Sequence, residues 1–147
     1  MAQPTTAKFG KMLVLLGDGV SPETFAAPCG FSSKNLTFTK GLTEINLPDC
    51  IDPDAPSNVG RDVENLSAAI TGEGVLAAES IDEWIAAYES TTAVNVKITI
   101  EIGIFTHTWT GAMHVSEWAL GAEQGGRVTS AITMASDGEL IHSVAST

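Results

Sequence analysis

The chain has 147 residues, of which 18 are acidic and 7 are basic, and 44% of them are hydrophobic. This length suits one domain, residues 1–147, with a core large enough to fold without disulfides or metals. The formal charge of −11 disfavours binding to nucleic acid or anionic lipid, because both are negatively charged. No apolar run is long enough for a membrane span or a signal peptide, and two cysteines are too few for a disulfide framework. The composition predicts an acidic, soluble intracellular domain.

The first residues of the chain predict an arm followed by short strands. Residues 1–10 are polar and unpatterned, as in a flexible N-terminal arm. Lys11–Leu16 is a short apolar segment that predicts a strand, and Gly17-Asp18-Gly19 predicts a turn after it. Thr24–Cys29 predicts a second strand that runs back along the first.

Two alternating segments then predict a long hairpin. Apolar and polar residues alternate at Leu36 and Phe38, across a break at Lys40-Gly41 at Ile45 and Leu47, and again from Leu66 to Ile70, as in strands with one buried face. Residues 48–62 between them are rich in proline and aspartate and predict a long loop at the tip of the hairpin.

One helix is predicted at residues 80–90. Ser80-Ile81-Asp82-Glu83 fits a capping box, in which the serine and glutamate side chains would bind free amides at the helix start. Ile81, Trp84, Ile85 and Tyr88 form one apolar stripe at helical spacing. We therefore expect this helix to cover a sheet.

The second half of the chain predicts further strands. Branched apolar residues occupy every even position from Val94 to Ile104, and a long strand region follows at Thr106–Gln124, with Gly111 and Gly121 as expected bulges or bends. Turns are predicted at Gly125-Gly126 and Asp137-Gly138, on either side of an alternating segment. The order of elements predicts a mainly β fold: an antiparallel sandwich or open barrel with one flanking helix.

Residue chemistry alone points to no catalytic, metal or cofactor site. Gly72-Glu73-Gly74 and the residues up to Ala77 match a dinucleotide fingerprint, but the expected helix starts too late for it, and a tight connection explains the glycines. His107, His114 and Glu117 loosely suggest a metal site, although strand parity puts the two histidines on opposite faces.

Clustered aspartates are the other candidate for a metal site. Asp49, Asp52 and Asp54 offer oxygens to calcium but lack the spacing of an EF-hand, so a solvated acidic loop is the default interpretation. We expect no enzyme activity and no cofactor.

The order of segments resembles the tail tube (major tail) proteins of long-tailed bacteriophages and gene-transfer particles. The resemblance covers residues 11–142. It rests on an early segment from Leu13 to Phe31, on Ile70-Thr71-Gly72-Glu73-Gly74 before the acidic helix, and on late segments at 111–115, 125–128 and 134–138. No single motif carries it.

This resemblance implies a β-sandwich that assembles into hexameric rings, which stack into a tube in the virion tail after assembly in the host cytoplasm. Inner sheets of neighbouring copies would join edge to edge around an acidic lumen, through which DNA passes without binding. Tape-measure, tail terminator and distal tail proteins would be the other partners. By strand parity, the lumen candidates are Glu44, Glu64, Glu117 and Glu123. The candidates for ring-to-ring contacts are Asp49, Asp52, Asp54 and Arg61.

Two other functions remain open at this point. The first is a sandwich-type module that binds carbohydrate or protein through an exposed aromatic platform at Trp109 or Trp118. The second is the tube protein of a contractile secretion system, which shares the architecture but delivers effectors.

Overall fold

The computed structural model describes residues 2–17 and 25–146 of the chain. It is mainly β, as predicted, with eight strands and one helix among these residues. The helix, α1 (Ala78–Glu89), lies between the fourth and fifth strands in the chain. The strands are β1 (Met12–Gly17), β2 (Phe25–Ala26), β3 (Phe31–Leu47), β4 (Asn58–Val75), β5 (Val94–Ile102), β6 (Phe105–Gly121), β7 (Thr129–Ser136) and β8 (Ile141–Ser146).

All strand pairs are antiparallel and form one continuous sheet in the order β2-β1-β5-β6-β7-β4-β3, with β8 also paired to β6. The 17-residue β6 is shared by two halves of this sheet. Its first half, Phe105–Met113, pairs with β5, and its second half, Met113–Gly121, pairs with β7. We call β6 (second half), β7, β4 and β3 the four-stranded sheet, and the remainder the outer sheet.

The core lies between the two halves of the sheet and under the helix. Even-numbered residues of β1, β4, β5 and β7 point into it, as the period-two alternation predicted, together with Met113 of β6. Val96, Ile98, Met113 and Met134 are completely buried. Burying each such side chain stabilises the fold by about 1.5–3 kcal/mol. The core cluster comprises Leu16, Ile70, Trp84, Val96, Ile98, Met113, Ile132 and Met134.

The N-terminal part of the chain fits its prediction only in part. Residues 2–8 form no regular structure and are exposed, and a 3₁₀ turn (Phe9–Lys11) precedes β1. Lys34 of β3 secures this turn, because its Nζ donates to the Met12 carbonyl at 2.9 Å and lies 4.5 Å from the centre of the Phe9 ring. Burial lowers the pKa of Lys34. β2 pairs antiparallel with β1 as expected, whereas the predicted turn at 17–19 extends beyond the described residues.

The long hairpin is confirmed, but its loop is shorter than predicted. β3 and β4 pair from Phe31↔Gly74 to Leu47↔Asn58. The loop therefore ends before Asn58, and Arg61 and its neighbours belong to a strand. Residues 58–62, which were predicted to belong to the loop, each pair with a residue of β3, and such cross-strand pairs stabilise the sheet.

The two glycines of the fingerprint-like sequence sit inside β4, and α1 begins only at Ala78. A Cβ at Gly74 would collide with the Gly30 carbonyl and lie 2.7 Å from Cα of Phe31. Close approach of the backbone at Gly30 and Phe31 therefore explains Gly74, whereas the predicted tight connection out of a strand is wrong because both glycines lie within β4.

The helix is confirmed, but the capping box is wrong. Ala77 is the N-cap residue and makes no side-chain cap hydrogen bond. Ser80 is instead buried, and its hydroxyl donates to the carbonyls of Cys29 and Ala77, at 3.2 and 3.3 Å respectively. Trp84 packs its ring edge against Phe31, with ring centres 5.5 Å apart, while Tyr88 of the expected stripe is exposed. No helix in the described residues is long and apolar enough to cross a membrane.

Two predictions about β5 and β6 are wrong in detail. The alternation up to Ile104 overshoots, because Gly103 has a φ of +61° and turns the chain into β6. The bulge in β6 lies between Val115 and Glu117 and not at Gly111 or Gly121. At Gly111 the strand is crowded, since a Cβ there would collide with the Leu140 side chain. The turns at 125–126 and 137–138 are confirmed, with positive φ at Gly125 and Gly138.

Candidate assembly surfaces

One face of the four-stranded sheet is lined mainly by short side chains, most of them serine, threonine and alanine. On each strand, the residues that alternate with the core-facing ones point to this side. Two of them, Glu73 and Glu117, carry charge, and no lysine or arginine of these four strands shares their face. We call this surface the hydroxyl face. It comprises Ser33, Asn35, Thr37 and Thr39 of β3, Ser67, Ala69, Thr71, Glu73 and Val75 of β4, Thr129, Ala131, Thr133 and Ala135 of β7, and His114, Glu117 and Ala119 of β6.

Both edges of the four-stranded sheet are unpaired within the part of the chain that the structure describes. β3 pairs only with β4, and the second half of β6 pairs only with β7. Unpaired edges carry free backbone N–H and C=O groups, which monomeric proteins usually cover or blunt. Long unpaired edges on opposite sides of one sheet are therefore suited to pairing between copies.

The outer part of the hairpin projects beyond the rest of the sheet. β7 accompanies β4 only from Ala69 to Val75, so residues 39–67 form a two-stranded arm around the loop. An isolated hairpin is at best marginally stable in water. The arm also exposes apolar side chains on its strands, which favours contact with another protein surface. These side chains are Leu42, Ile45, Leu47, Val59, Val63 and Leu66.

The loop at the end of the arm, residues 48–57, has a conformation fixed by its aspartates. Oδ1 of Asp49 accepts hydrogen bonds from the amides of Ile51 at 2.8 Å and Asp52 at 3.2 Å. The same two bonds hold the pKa of Asp49 below its usual value, since they favour the ionised carboxylate. Asp52 likewise accepts from the amide of Asp54, at 3.2 Å. We call this loop the tip.

Of the predicted contact residues, the three aspartates lie in the tip but Arg61 does not. Arg61 lies on the arm opposite Glu44, and Nη2 and Oε1 of this ion pair are 3.4 Å apart. Both side chains are largely exposed, so the pair contributes at most about 1 kcal/mol.

The predicted lumen acids are scattered over three parts of the structure. Glu117 lies on the hydroxyl face. Glu44 and Glu64 lie on the arm, where Oε2 of Glu64 accepts a hydrogen bond from the Thr43 hydroxyl at 3.1 Å. Glu123 lies in the loop after β6 ends.

The hydroxyl face also contains an acid that sequence reasoning missed. Glu73 stands between two glycines, a pattern interpreted as a turn rather than a strand. The sequence signal that could have identified Glu73 is its spacing from Thr71, since residues two apart in a strand lie on the same face.

Neither tryptophan of the binding-module hypothesis is fully exposed, because both are half-buried. Trp109 and Trp118 both pack against the core cluster. The Trp118 Nε1 donates to Oγ of the buried Ser130 at 3.0 Å, and the Trp109 ring lies 5.7 Å from that of Phe38.

The suggested metal ligands do not converge. Nδ1 of His107 is 3.0 Å from Nε2 of His142, whereas Nε2 of His114 is 3.1 Å from Oδ2 of Asp137 on the other face. Over residues 2–17 and 25–146, no group of three histidine, cysteine or acidic side chains is placed to hold a metal ion.

Comparisons with known proteins agree with this architecture. The tail of an empty gene-transfer-agent particle, refined with helical and C6 symmetry, superposes with a TM-score of 0.74 at 15% identity, covering 94% of this chain and 99% of that one. The SPP1 tail tube superposes with a TM-score of 0.60 at 11% identity, covering 92% of this chain and 78% of that one. A sheath/tube terminator structure of an extracellular contractile injection system superposes with a TM-score of 0.61 at 14% identity, covering 97% of this chain and 99% of that one. At these identities the likeness shows the fold alone.

Sequence comparison gives the family. No curated protein matches the sequence. The model of the phage tail tube protein family, however, matches residues 6–142, which is most of the chain. The chain therefore belongs to the phage tail tube protein family.

Proposed function

We propose that this protein is the structural subunit of a virion tail tube, built from stacked rings of six copies around a channel that conducts DNA. The observation that carries the proposal is the four-stranded sheet, which has two edges without a partner strand among the described residues and one face lined mainly by serine, threonine and alanine. Pairing β3 of one copy with the second half of β6 of the next removes both edges. Ring closure thus supplies the partners that the monomer lacks.

The dimensions of such a ring fit a DNA channel. Six copies, the symmetry of the gene-transfer-agent tail, would join four strands each into a barrel of roughly 24 strands. With strands about 4.8 Å apart and tilted by about 40°, the backbone diameter is roughly 50 Å. The side chains of the hydroxyl face are short, so most of this width stays open to a duplex.

The charge of the hydroxyl face suits passage without binding. Each copy contributes Glu73 and Glu117 and no lysine or arginine from the four strands. Phosphates would be repelled by these carboxylates and would find no lysine or arginine of these strands to pair with, while His114 on the same face already contacts the carboxylate of Asp137. In this assignment Glu117 remains a lumen residue and Glu73 joins it, while the arm acids Glu44 and Glu64 lie between rings.

The arm and its tip would make the contacts between rings. Their exposed apolar side chains and fixed aspartates need a partner surface, and stacking provides one. Tape-measure, terminator and distal tail proteins would bind at the tube's interior and ends. A contractile secretion tube is the alternative, and neighbouring genes for capsid and portal proteins would exclude it.

Electron microscopy of the purified protein over a concentration series tests the proposal. We expect rings or hollow tubes with a central channel. A variant in which a two-residue turn replaces residues 49–56 should remain folded but fail to stack. Monodisperse monomers at every concentration, even with preformed tail tips added as initiators, would refute the tube assignment. Normal tubes from the shortened variant would refute only the role of the tip.

A further inference from the structure

Two histidines of the outer sheet face each other across neighbouring strands. His107 lies on β6 and His142 on β8, and Nδ1 of His107 is 3.0 Å from Nε2 of His142. The planes of the two rings differ by only 10°, and their centres are 5.2 Å apart. The structure thus gives His107 an imidazole partner that is neither His114 nor Glu117 of the predicted metal set.

The strand register keeps this pair together. His107 lies opposite Val144 and His142 lies opposite Trp109, so the two histidines are diagonal neighbours on one face of an antiparallel pair. Diagonal neighbours are about 7–8 Å apart, which is within reach of two imidazole side chains. The centre of the Trp109 ring is 4.9 Å from that of His142 and 6.2 Å from that of His107. The ladder and the tryptophan therefore place both rings side by side before any ligand binds.

The strands around the pair carry no competing charge on this face. On β5, β6 and β8, the residues that share the face with the two histidines are apolar, apart from Ser146. No lysine or arginine of these strands can repel a cation there, and the net charge of −11 attracts cations to the chain as a whole. His107 is half-buried and His142 is exposed, so water can reach the pair from one side.

The distance between the two nitrogens selects a class of metal ion. Imidazole nitrogens bind first-row transition ions at about 2.0–2.1 Å. Two such ligands that lie 3.0 Å apart subtend an angle of roughly 95° at the ion. Neighbouring ligands in tetragonal Cu(II) and Ni(II) sites make about this angle, whereas two ligands of a tetrahedral Zn(II) site are about 3.3–3.4 Å apart.

We propose that His107 and His142 form a two-imidazole site for a divalent transition ion, Cu(II) above all, with water in the other positions. The proton of the hydrogen bond between them moves to the far nitrogen of the donor ring, so that both facing nitrogens offer lone pairs. The rings must turn for these lone pairs to meet on one ion, and the soft χ2 torsion of the exposed His142 allows this turn. Acid protonates the imidazoles and so releases the ion.

A bound ion would tie the C-terminal strand to the sheet. Among the described residues β8 pairs only with β6, so a single ladder anchors it. Opening of β8 separates the two ligands, and an ion that binds only the closed form makes this opening rarer. The site lies within one copy and does not depend on the tube function.

Titration with copper sulfate tests the site. The protein carries Cys29→Ser and Cys50→Ser, because thiols also bind copper. We expect one ion per chain by isothermal titration calorimetry, and quenching of Trp109 fluorescence with the same midpoint. Trp118 lies nine residues farther along β6, about 30 Å away, and should keep its emission. Trp109→Phe should remove the quenching and leave the heat of binding.

Histidine variants locate the ion. His107→Gln and His142→Gln should each weaken copper binding by about a hundredfold, because a lone imidazole loses the high effective concentration of the second ligand. The matched control is His114→Gln, which removes an imidazole that contacts Asp137 on the other face and should leave binding unchanged. Undiminished binding by the His142→Gln protein, or neither heat nor quenching in the parent, would overturn the proposal.

Hydrogen exchange followed by mass spectrometry tests the consequence for β8. At a free copper concentration ten times the dissociation constant, the amides of β8 should exchange about tenfold more slowly than without metal. The His142→Gln protein should show no such change, and the β3–β4 hairpin serves as an internal control because it lies outside the β6–β8 ladder. Copper binding that leaves the exchange of β8 unaltered would refute its role in securing this strand.

Discussion

Gly111 and Gly121 lie on the same strand, and the structure predicts opposite effects when each is replaced by alanine. A Cβ at Gly111 would collide with the Leu140 side chain and lie 2.9 Å from the Glu139 carbonyl oxygen. The leucine can rotate, but the carbonyl is backbone and can move only with the β7–β8 connection. At Gly121 the nearest atom is Oγ1 of Thr129 at 3.4 Å, which is ordinary contact.

The magnitudes follow from two opposing terms. Alanine restricts the unfolded chain more than glycine does, which stabilises a compatible site by about 0.5–1 kcal/mol. Overpacking costs about 1–3 kcal/mol where atoms must move apart. Gly111→Ala should therefore lower the free energy of unfolding by about 1–2 kcal/mol, and Gly121→Ala should raise it by about 0.5 kcal/mol.

Urea unfolding followed by circular dichroism, at a concentration below that of assembly, measures both variants. The expected difference of about 2 kcal/mol corresponds to a gap of roughly 4–8 °C in melting temperature for a domain of this size. Equal stabilities for the two variants would show that the β7–β8 connection yields freely. The reasoning from close contact at Gly111 would then be refuted.

Three further predictions concern the core and the tip. Met134→Ala should lower the free energy of unfolding by about 2–5 kcal/mol in urea, because the side chain is fully buried. Trp118→Phe should cost about 1–2 kcal/mol by leaving the buried Ser130 hydroxyl without its donor, and adding Ser130→Ala should recover part of this loss. The pKa of Asp49 is lowered by backbone hydrogen bonds, so the ionised form stabilises the tip above the normal carboxylate range and the effect is lost as the pH falls below about 4. The amide resonance of Ile51 should report this titration in NMR spectra, and Asp49→Asn should abolish it while keeping an acceptor.

The strands and the hairpin were predictable because burial on one face leaves a period-two pattern. The alternation at Leu36 and Phe38 corresponds to the side of β3 that faces the core, whereas Ile45 and Leu47, beyond the break at Lys40-Gly41, lie on the opposite side of the same strand. The same pattern misled at its ends: Ile104 continues the alternation of β5 but lies in a turn, since the positive φ of Gly103 redirects the chain. Periodicity records side-chain burial and not backbone direction.

The site was less predictable because face assignments depend on bulges and on the length of pairing. Glu64 is the extra residue where the β3–β4 register shifts, and parity cannot be counted across such a position. The capping box at Ser80 failed for another reason. The serine is buried beside Cys29, and tertiary contact decided which carbonyl its hydroxyl binds. Neither effect leaves a local sequence signal.

The pairing of β1 with β5 sets the order in which the protein can fold. Leu16 of β1 pairs with Val96 of β5, so β1 can pair only with a strand that lies about 80 residues later in the chain. The hairpins β3–β4 and β5–β6 are local and can form earlier, whereas pairing across such distances is slow. Before β7 has paired with β4, β4 has β3 as its only partner strand among the described residues. The β3–β4 hairpin can therefore form early, but it gains the stability that an isolated hairpin lacks only when β7 joins the sheet.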